Sequence, residues 1–202
     1  MFTLDQSKLT AAYRMAFPPP APNTPQAAAF VRLAQAIAAD PDIPEIRWAA
    51  YMLATVKREC GNDFLPITEK GPRPYFNKYE PGTPIGIRLG NTQPGDGYLF
   101  RGRGFVQLTG RPNYAKMSER LNMPGALVAN PDLALDFDIA YKIMSYGMRR
   151  GSFTGKKLAD YINAGGKDYF NARHIINGTD QAALIQGYAE SLEIAISVST
   201  AS

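Results

Sequence analysis

Two glutamates stand ten positions apart in the stretch VKRECGNDFLPITEKG, residues 56–71. Glu59 closes the apolar face of a predicted helix and lies in its last turn, where Gly61 occupies the position of a C′ glycine. Partial burial and the negative end of the helix dipole both disfavour a charged carboxylate there. A protonated carboxylic acid can give its proton to a leaving sugar oxygen. On position alone, a surface ion pair with Lys57 or Arg58 explains Glu59 equally well.

Glu69 is the second carboxylate, and it follows a proline in the loop after this helix. A loop carboxylate that faces a helix-end acid would hold a water between the two groups. Inverting glycosidases leave about 6.5–9.5 Å between their two carboxyl groups for that water. The spacing therefore nominates Glu69 as a general base, while Asp63, Glu80 and Asp96 remain open for the same role.

The stretch RGRGFVQLTG, residues 101–110, carries polar side chains that suit sugar hydroxyls and amides. Gln107 and Thr109 alternate, so on a strand they would share one face, and Asn113 follows shortly after. The row could bind a sugar or position a water, although turn chemistry and a satisfied strand account for it as well. Asn177 lies in INGTD, where an Asn-Gly turn is the local explanation.

The elements that must position these residues are mainly helical. Apolar spacing predicts helices over about 44–60 and 112–121, and a last helix capped by Thr179 and Asp180. Residues 61–100 are rich in glycine and proline and have no lasting period, which predicts a long loop of the kind that often carries a site. One short strand is predicted near 98–110.

Composition narrows the class of protein. With 202 residues, 45% of them apolar, the chain is long enough for one folded domain. It contains neither a run of 18 apolar residues nor a secretory signal pattern, so we expect no membrane insertion. One cysteine, Cys60, excludes an internal disulfide, and a single histidine, His174, excludes a His/Cys metal cluster. The net charge of +4 favours an anionic partner or simply a soluble basic surface.

Four motifs, taken in order, resemble glycoside hydrolase family 19. They are RECG, PITEKG, FRGRGFVQLTGRPNY and IINGTD, and the likeness covers Ile46 to Ile196. The block GRGFVQLTGRPNY is the specific part of this resemblance. The likeness is greatest to the phage and bacterial members of the family, which are chitinase-like lysozymes or endolysins.

The resemblance implies a fold and a set of roles. The fold would be mainly α, a lysozyme-like single domain with a deep substrate cleft, a long loop and at most a small β-sheet. By motif match, Glu59 would be the general acid, Glu69 the general base, and Thr109 the residue that helps to hold the attacking water. Gln107 and Asn113 match substrate-binding positions of the family, and Asn177 matches the asparagine of its ING turn. Tyr114 closes the NY pair and would line the cleft, so all four are expected to bind substrate.

Two departures from the family pattern matter. Arg58 stands where the family usually has a histidine before the acid. A cation turned towards Glu59 would oppose its acid role, so we expect Arg58 to point away. The family's secreted plant chitinases carry several disulfides, which the single Cys60 rules out here. This difference steers the expected substrate from chitin to peptidoglycan.

The sequence therefore predicts an inverting peptidoglycan hydrolase, with a chitinase and an inactive glycan-binding domain as alternatives. We expect a single catalytic domain over 1–202, with a helix and Pro-rich turn in 1–24, the lysozyme-like core in 25–202, and no wall-binding module. No cofactor, metal or nucleic-acid partner is expected, and the chain should be a monomer. It should accumulate in the host cytoplasm and reach the wall through a separate membrane pore.

Overall fold

The structure is a computed structural model that describes residues 1–18 and 24–200. Its internal contacts divide the chain into two compact units. The first unit combines both ends of the chain, Met1–Phe64 and Met144–Ser202, and the second is the continuous segment Leu65–Ile143. Most of the predicted Pro-rich turn lies outside the described residues. The mainly α prediction is confirmed.

The first unit is mainly helical. It contains α1 (Gln6–Ala16), α2 (Thr24–Ala39), α3 (Ile46–Cys60), the C-terminal part of α8 (Phe137–Arg150), α9 (Leu158–Tyr161) and α10 (Ala182–Ser199), with short 3-10 helices at Gly61–Asp63 and Asn171–Ile175. Strands β3 (Ile162–Asn163) and β4 (Gly166–Lys167) form a two-residue antiparallel pair.

Helix α3 is the central element of the first unit. It packs along α10, which in turn packs against α1. Residues 49–56 of α3 are at most 1% exposed, so the helix is buried on nearly all sides and not only on its predicted apolar face. The helix ends at Cys60, and Gly61 has a φ of +71°, as predicted for a C′ glycine. These features fix the position of the last turn, which carries Glu59.

Lys57 is buried beside this turn and should make stability depend on pH. Its amino group donates hydrogen bonds to the Tyr13 hydroxyl (2.9 Å) and to Asn62 Oδ1 (2.5 Å), and it lies 4.3 Å from the ring centroid of Phe17. Burial lowers the pKa of Lys57 to about 8, from an ordinary value of 10.5. Between these values the unfolded chain binds more protons than the folded chain, so stability rises with pH across that window.

We therefore compare the unfolding free energies of the wild type and of Lys57→Met. We expect the wild type to become more stable relative to the variant as the pH rises from 7 to about 9.5. Below about pH 8 the wild type carries the cost of a buried ammonium group, which disappears as the lysine loses its proton. Urea unfolding at both pH values measures the difference between the two proteins. A difference that is the same at both pH values would show that Lys57 does not titrate in this range.

The second unit consists of short elements. It contains β1 (Ile67–Thr68), a 3-10 helix at Arg73–Tyr79, α4 (Pro84–Leu89), α5 (Asp96–Leu99), β2 (Arg103–Gly104), α6 (Arg111–Arg120), α7 (Ala126–Ala129), a 3-10 helix at Pro131–Leu135 and the start of α8. Strands β1 and β2 pair antiparallel, with Ile67 opposite Gly104 and Thr68 opposite Arg103.

The expectation of a structureless segment over 61–100 is wrong. Its helical turns are too short to produce a period in the sequence, and polar side chains hold them together. Glu80 accepts hydrogen bonds from the backbone N–H groups of Gly95 (2.7 Å) and Gly97 (3.0 Å). Asn91 donates to the Tyr79 carbonyl at 2.9 Å.

Two further local predictions are corrected. The predicted strand near 98–110 is only the two residues of β2, because residues 96–99 are helical and Gln107 adopts a left-handed φ of +53°. The last helix is not capped by Thr179 or Asp180, since Gln181, with a φ of +59°, precedes its first residue, Ala182. No helix in the described ranges is long and apolar enough to cross a membrane.

Candidate active site

Glu59 lies in the last turn of α3, in the first unit, and its cation partner is Arg173. The Glu59 side chain is 17% exposed, and its Oε1 accepts a hydrogen bond from Arg173 Nη1 at 2.7 Å. Neither alternative partner pairs with it, since Lys57 binds Tyr13 and Asn62, and Arg58 forms no ion pair with Glu59 in the described part of the chain. That Arg58 points away from Glu59 stays a prediction. The cation that does face Glu59 is Arg173, and it opposes the acid role in the way expected of a cation at that place.

Arg173 connects Glu59 to the INGTD turn. Its side chain is 4% exposed, and its Nε donates to the Asp180 carbonyl at 3.0 Å. The backbone N–H of Asn177 donates to the Arg173 carbonyl at 3.0 Å. Asn177 is exposed, and its Oδ1 accepts from the N–H of Gly178 at 2.9 Å. The buried guanidinium of Arg173 thus contacts both Glu59 and the turn that contains Asn177. The sequence analysis did not identify Arg173 as part of the site.

Glu69 lies in the second unit directly after β1, and donors hold both of its carboxylate oxygens. The Tyr79 hydroxyl donates to Oε1 at 2.9 Å, and the Gly102 N–H donates to Oε2 at 3.2 Å. The Glu69 N–H in turn donates to the Gly102 carbonyl at 2.8 Å. Because Glu69 remains half-buried rather than enclosed, a fixed carboxylate is still accessible to a small molecule.

Tyr79 stays protonated at neutral pH and acts as a hydrogen-bond donor. Burial first, and then the hydrogen bond to Glu69, raise the pKa of Tyr79 above its ordinary value of 10.0. The tyrosine lies at the end of the 3-10 helix Arg73–Tyr79, ten residues beyond Glu69. Nothing in the spacing of the sequence indicated this contact, since the intervening residues show no period.

Gln107 and Gly102 fix the backbone around Glu69. Gln107 Nε2 donates to the carbonyls of Ile67 (3.1 Å) and Gly104 (3.2 Å), so its side chain ties β1 to β2. A Cβ on Gly102 would lie 2.7 Å from Gln107 Oε1, so a larger residue here would displace the Gln107 side chain. Gln107 therefore supports the backbone that carries Glu69, and its amide N–H groups are used internally.

Thr109 and Asn113 continue the same hydrogen-bonded chain. The Thr109 hydroxyl donates to the Gln107 carbonyl at 2.8 Å, and Asn113 Nδ2 donates to the Thr109 carbonyl at 2.8 Å. A hydroxyl that donates one hydrogen bond keeps lone pairs that can accept from a water. Gln107 and Thr109 do not share a strand face, because the chain turns at Gln107; the structure brings them together through this turn.

Tyr114 was expected to line the substrate cleft, and the structure corrects this expectation. Its side chain is 0% exposed, and its hydroxyl donates to the Arg101 carbonyl (2.9 Å) and accepts from Arg103 Nη1 (3.2 Å). A side chain without exposed surface does not contact a substrate. Tyr114 instead supports the segment that contains Gly102.

The three alternative candidates for the base are Asp63, Glu80 and Asp96, and each forms hydrogen bonds within the protein. Asp63 accepts from Gln26 Nε2 at 2.5 Å, and Glu80 binds the two backbone N–H groups described above. Asp96 is 1% exposed and pairs with Arg111. Burial opposes its ionisation, but the hydrogen bonds from Arg111 and from backbone N–H groups outweigh burial and lower the pKa of Asp96. Of the four candidates, Glu69 has the environment most suited to activating a water.

Metal binding is not indicated by the described residues, which contain no group of three or more His, Cys, Asp or Glu side chains able to hold an ion.

The predicted site residues that the structure describes form two groups. Glu59 and Asn177 meet at Arg173 in the first unit. Glu69, Gln107, Thr109 and Asn113 form one network in the second.

The chain has a chitinase-like, mainly α fold. Chitinase C from Streptomyces griseus HUT6037 matches it with a TM-score of 0.56 and 17% sequence identity, over 98% of this chain and 76% of that chain. A glutamate-to-glutamine mutant of chitinase C matches with a TM-score of 0.62 and 18% identity, over the same shares. No protein-family model and no curated protein matches the sequence. The prediction of a mainly α, lysozyme-like fold with little β-sheet is confirmed by this likeness.

Proposed function

We propose that the protein is a peptidoglycan hydrolase that cleaves β-1,4 bonds between amino sugars with inversion of configuration. The observation that carries the proposal is the state of Glu69, whose two oxygens are held by Tyr79 and Gly102 while the residue stays accessible. Such a carboxylate is oriented and within reach of a water, as a general base must be. The motif resemblance supplies its partner, Glu59.

In the proposed reaction, Glu59 gives a proton to the glycosidic oxygen as the bond to the anomeric carbon breaks. Glu69 takes a proton from the water whose oxygen forms the new bond, so the configuration inverts. Oε1 of Glu59 accepts from Arg173, which leaves Oε2 to carry the transferred proton. Thr109 contributes lone pairs that position the water. Substrate contacts by Gln107, Asn113 and Asn177 stay predictions.

We infer that this hydrolysis serves host-cell lysis by a phage endolysin. The support is the motif resemblance to the phage and bacterial members of the family, together with a net charge of +4, which suits an anionic cell envelope. A chitinase is the second candidate. The names of the two structural neighbours, both chitinase C, favour it.

Product analysis tests the proposal. Purified peptidoglycan and chitin are each digested with the wild type and with Glu59→Gln, and the products are identified by mass spectrometry. We expect muropeptides with a hydrated reducing end from peptidoglycan, formed only by the wild type. Release of chitin oligomers alone would favour the second candidate. Anhydro-sugar ends, or cleaved peptide bonds, would contradict the proposed reaction.

Replacing Tyr79 by phenylalanine should weaken the proposed base without removing it. The variant loses one of the two hydrogen bonds that orient the Glu69 carboxylate, so we expect kcat/KM to fall about 10-fold. The loss should fall on kcat rather than on KM, a split that a loss of substrate binding would not produce. Tyr146→Phe, which removes the hydroxyl of a half-buried tyrosine of α8, is the matched control. An unchanged kcat would show that Tyr79 only packs beside Glu69.

A further inference from the structure

A surface of alternating cations and aromatic rings lies on the second unit. We call it the cation–aromatic surface and define it by Arg73, Tyr75, Lys78, Tyr98 and Arg101. The guanidinium carbons of Arg73 and Arg101 lie 4.9 and 4.0 Å from the ring centroid of Tyr98. The Lys78 amino group lies 3.4 Å from the ring centroid of Tyr75, which is 44% exposed. Stacked in this way, the cations have a defined direction.

The cation–aromatic surface is continuous with Glu69 through one buried ring. Phe76 is 1% exposed, and its ring centroid lies 5.2 Å from that of Tyr75, 5.6 Å from that of Tyr98 and 6.2 Å from that of Tyr79. Tyr79 donates its hydroxyl hydrogen bond to Glu69. A polymer that extends from a bond held at Glu69 would therefore meet this surface within the same unit.

The three cations of the surface are not neutralised by carboxylates. Within residues 1–18 and 24–200, no ion pair involves Arg73, Lys78 or Arg101. Other arginines of the same unit do, since Arg103 pairs with Asp132 and Arg111 with Asp96. Arg101 Nη1 donates to the Tyr98 carbonyl at 2.6 Å. Cations without a carboxylate partner keep their remaining donors for an external anion.

We propose that the cation–aromatic surface binds the carboxylates of an acidic amino-sugar polymer, and so selects peptidoglycan over neutral chitin. Guanidinium and ammonium groups bind carboxylates by charge-assisted hydrogen bonds, and the rings against which they lie hold them in place. Chitin has no carboxylate, whereas peptidoglycan carries carboxylates on its stem peptides and, where a stem is removed, on the lactyl group. This inference rests on the proposed function and names the feature of the substrate that the surface recognises.

Binding measurements test the proposal without requiring cleavage. The full chain carrying Glu59→Gln is titrated with soluble peptidoglycan strands and with chitin oligomers of matched length. To this chain we add Arg73→Gln and Lys78→Gln together, or Arg88→Gln and Lys116→Gln together as the control. The control pair is exposed on the same unit, forms no ion pair in the described chain and changes the net charge equally. Thermal melting confirms that each protein is folded.

The expected result is an affinity for peptidoglycan strands that falls about 10-fold in the Arg73/Lys78 variant and is unchanged in the control. Affinity for chitin oligomers should be the same in all three proteins. The loss should shrink at high salt, because exposed charges are screened. An equal loss on both polymers, an equal loss in the control pair, or no loss would each overturn the proposal.

Amidase-treated strands, which lack stem peptides, identify the source of the carboxylate. A loss confined to intact strands assigns recognition to the stem peptides, and a loss that persists on treated strands shows that the lactyl carboxylate freed by the amidase is also bound; both results support the proposal. A failure of the proposed function and a failure of the proposed surface give different results. A wild type that binds acidic strands selectively but cleaves none refutes the hydrolase and not the surface, and a hydrolase whose strand affinity ignores Arg73 and Lys78 refutes only the surface.

Discussion

Glu59→Gln should lower the rate of glycan hydrolysis by about 10³-fold, because glutamine cannot give a proton to the leaving oxygen. The substitution is nearly isosteric, and the new amide oxygen can still accept from Arg173. The Arg173 guanidinium, 4% exposed, loses its charged partner, which should cost about 1–3 kcal/mol of stability. Initial rates on peptidoglycan, with a melting curve for each protein, measure both effects.

The leaving group separates a lost acid from a general defect. An aryl glycoside whose leaving group departs without protonation should restore much of the activity of Glu59→Gln. Glu119→Gln, which changes an exposed glutamate of α6, should behave as the wild type on both substrates. Full lytic activity of Glu59→Gln would rule out Glu59 as the acid.

Glu69→Ala should lose about 10³-fold in rate on both kinds of substrate, because water must be activated whatever the leaving group is. Removal of the side chain also leaves space beside Tyr79 and Gly102, the two donors that held the carboxylate. Added azide should fill this space and attack in place of water. The product would be a glycosyl azide of inverted configuration, which nuclear magnetic resonance can identify.

Glu80→Gln is the control for Glu69, since Glu80 was an alternative base in the sequence. Its oxygens bind the N–H groups of Gly95 and Gly97, so we expect reduced stability with retained activity. An inactive but folded Glu80→Gln variant beside an active Glu69→Ala variant would transfer the role of base to Glu80. Azide rescue with retained configuration would contradict inversion.

Local patterns in the sequence determined the helices and the positions of the two glutamates. The apolar period of 46–56 fixed α3, and Gly61 fixed its end, because a left-handed residue stops an α-helix and glycine adopts that conformation without strain. Glu59 was therefore placed in the last turn of a buried helix without any tertiary information. The order of the motifs likewise predicted the mainly α fold, which the solved chitinase structures confirm.

The short elements of the second unit could not be predicted in this way. A helical turn of four to seven residues, such as α5 or Arg73–Tyr79, has no repeat to detect. Gln107 was assigned to a strand by alternation, but its left-handed φ turns the chain, and its side chain binds Ile67 instead. Tyr114 was assigned to a surface by its motif, but tertiary packing buries it completely.

What the tertiary structure alone decided is which groups hold the two glutamates. Arg173 is 114 positions from Glu59, and Gly102 is 33 positions from Glu69. Hydrogen bonds of this kind depend on the three-dimensional path of the chain, and residue types at such separations carry no period that reveals them. The sequence by itself therefore nominated the acid and the base, whereas only the folded chain shows which groups hold Glu69 and which hold the alternatives Asp63, Glu80 and Asp96.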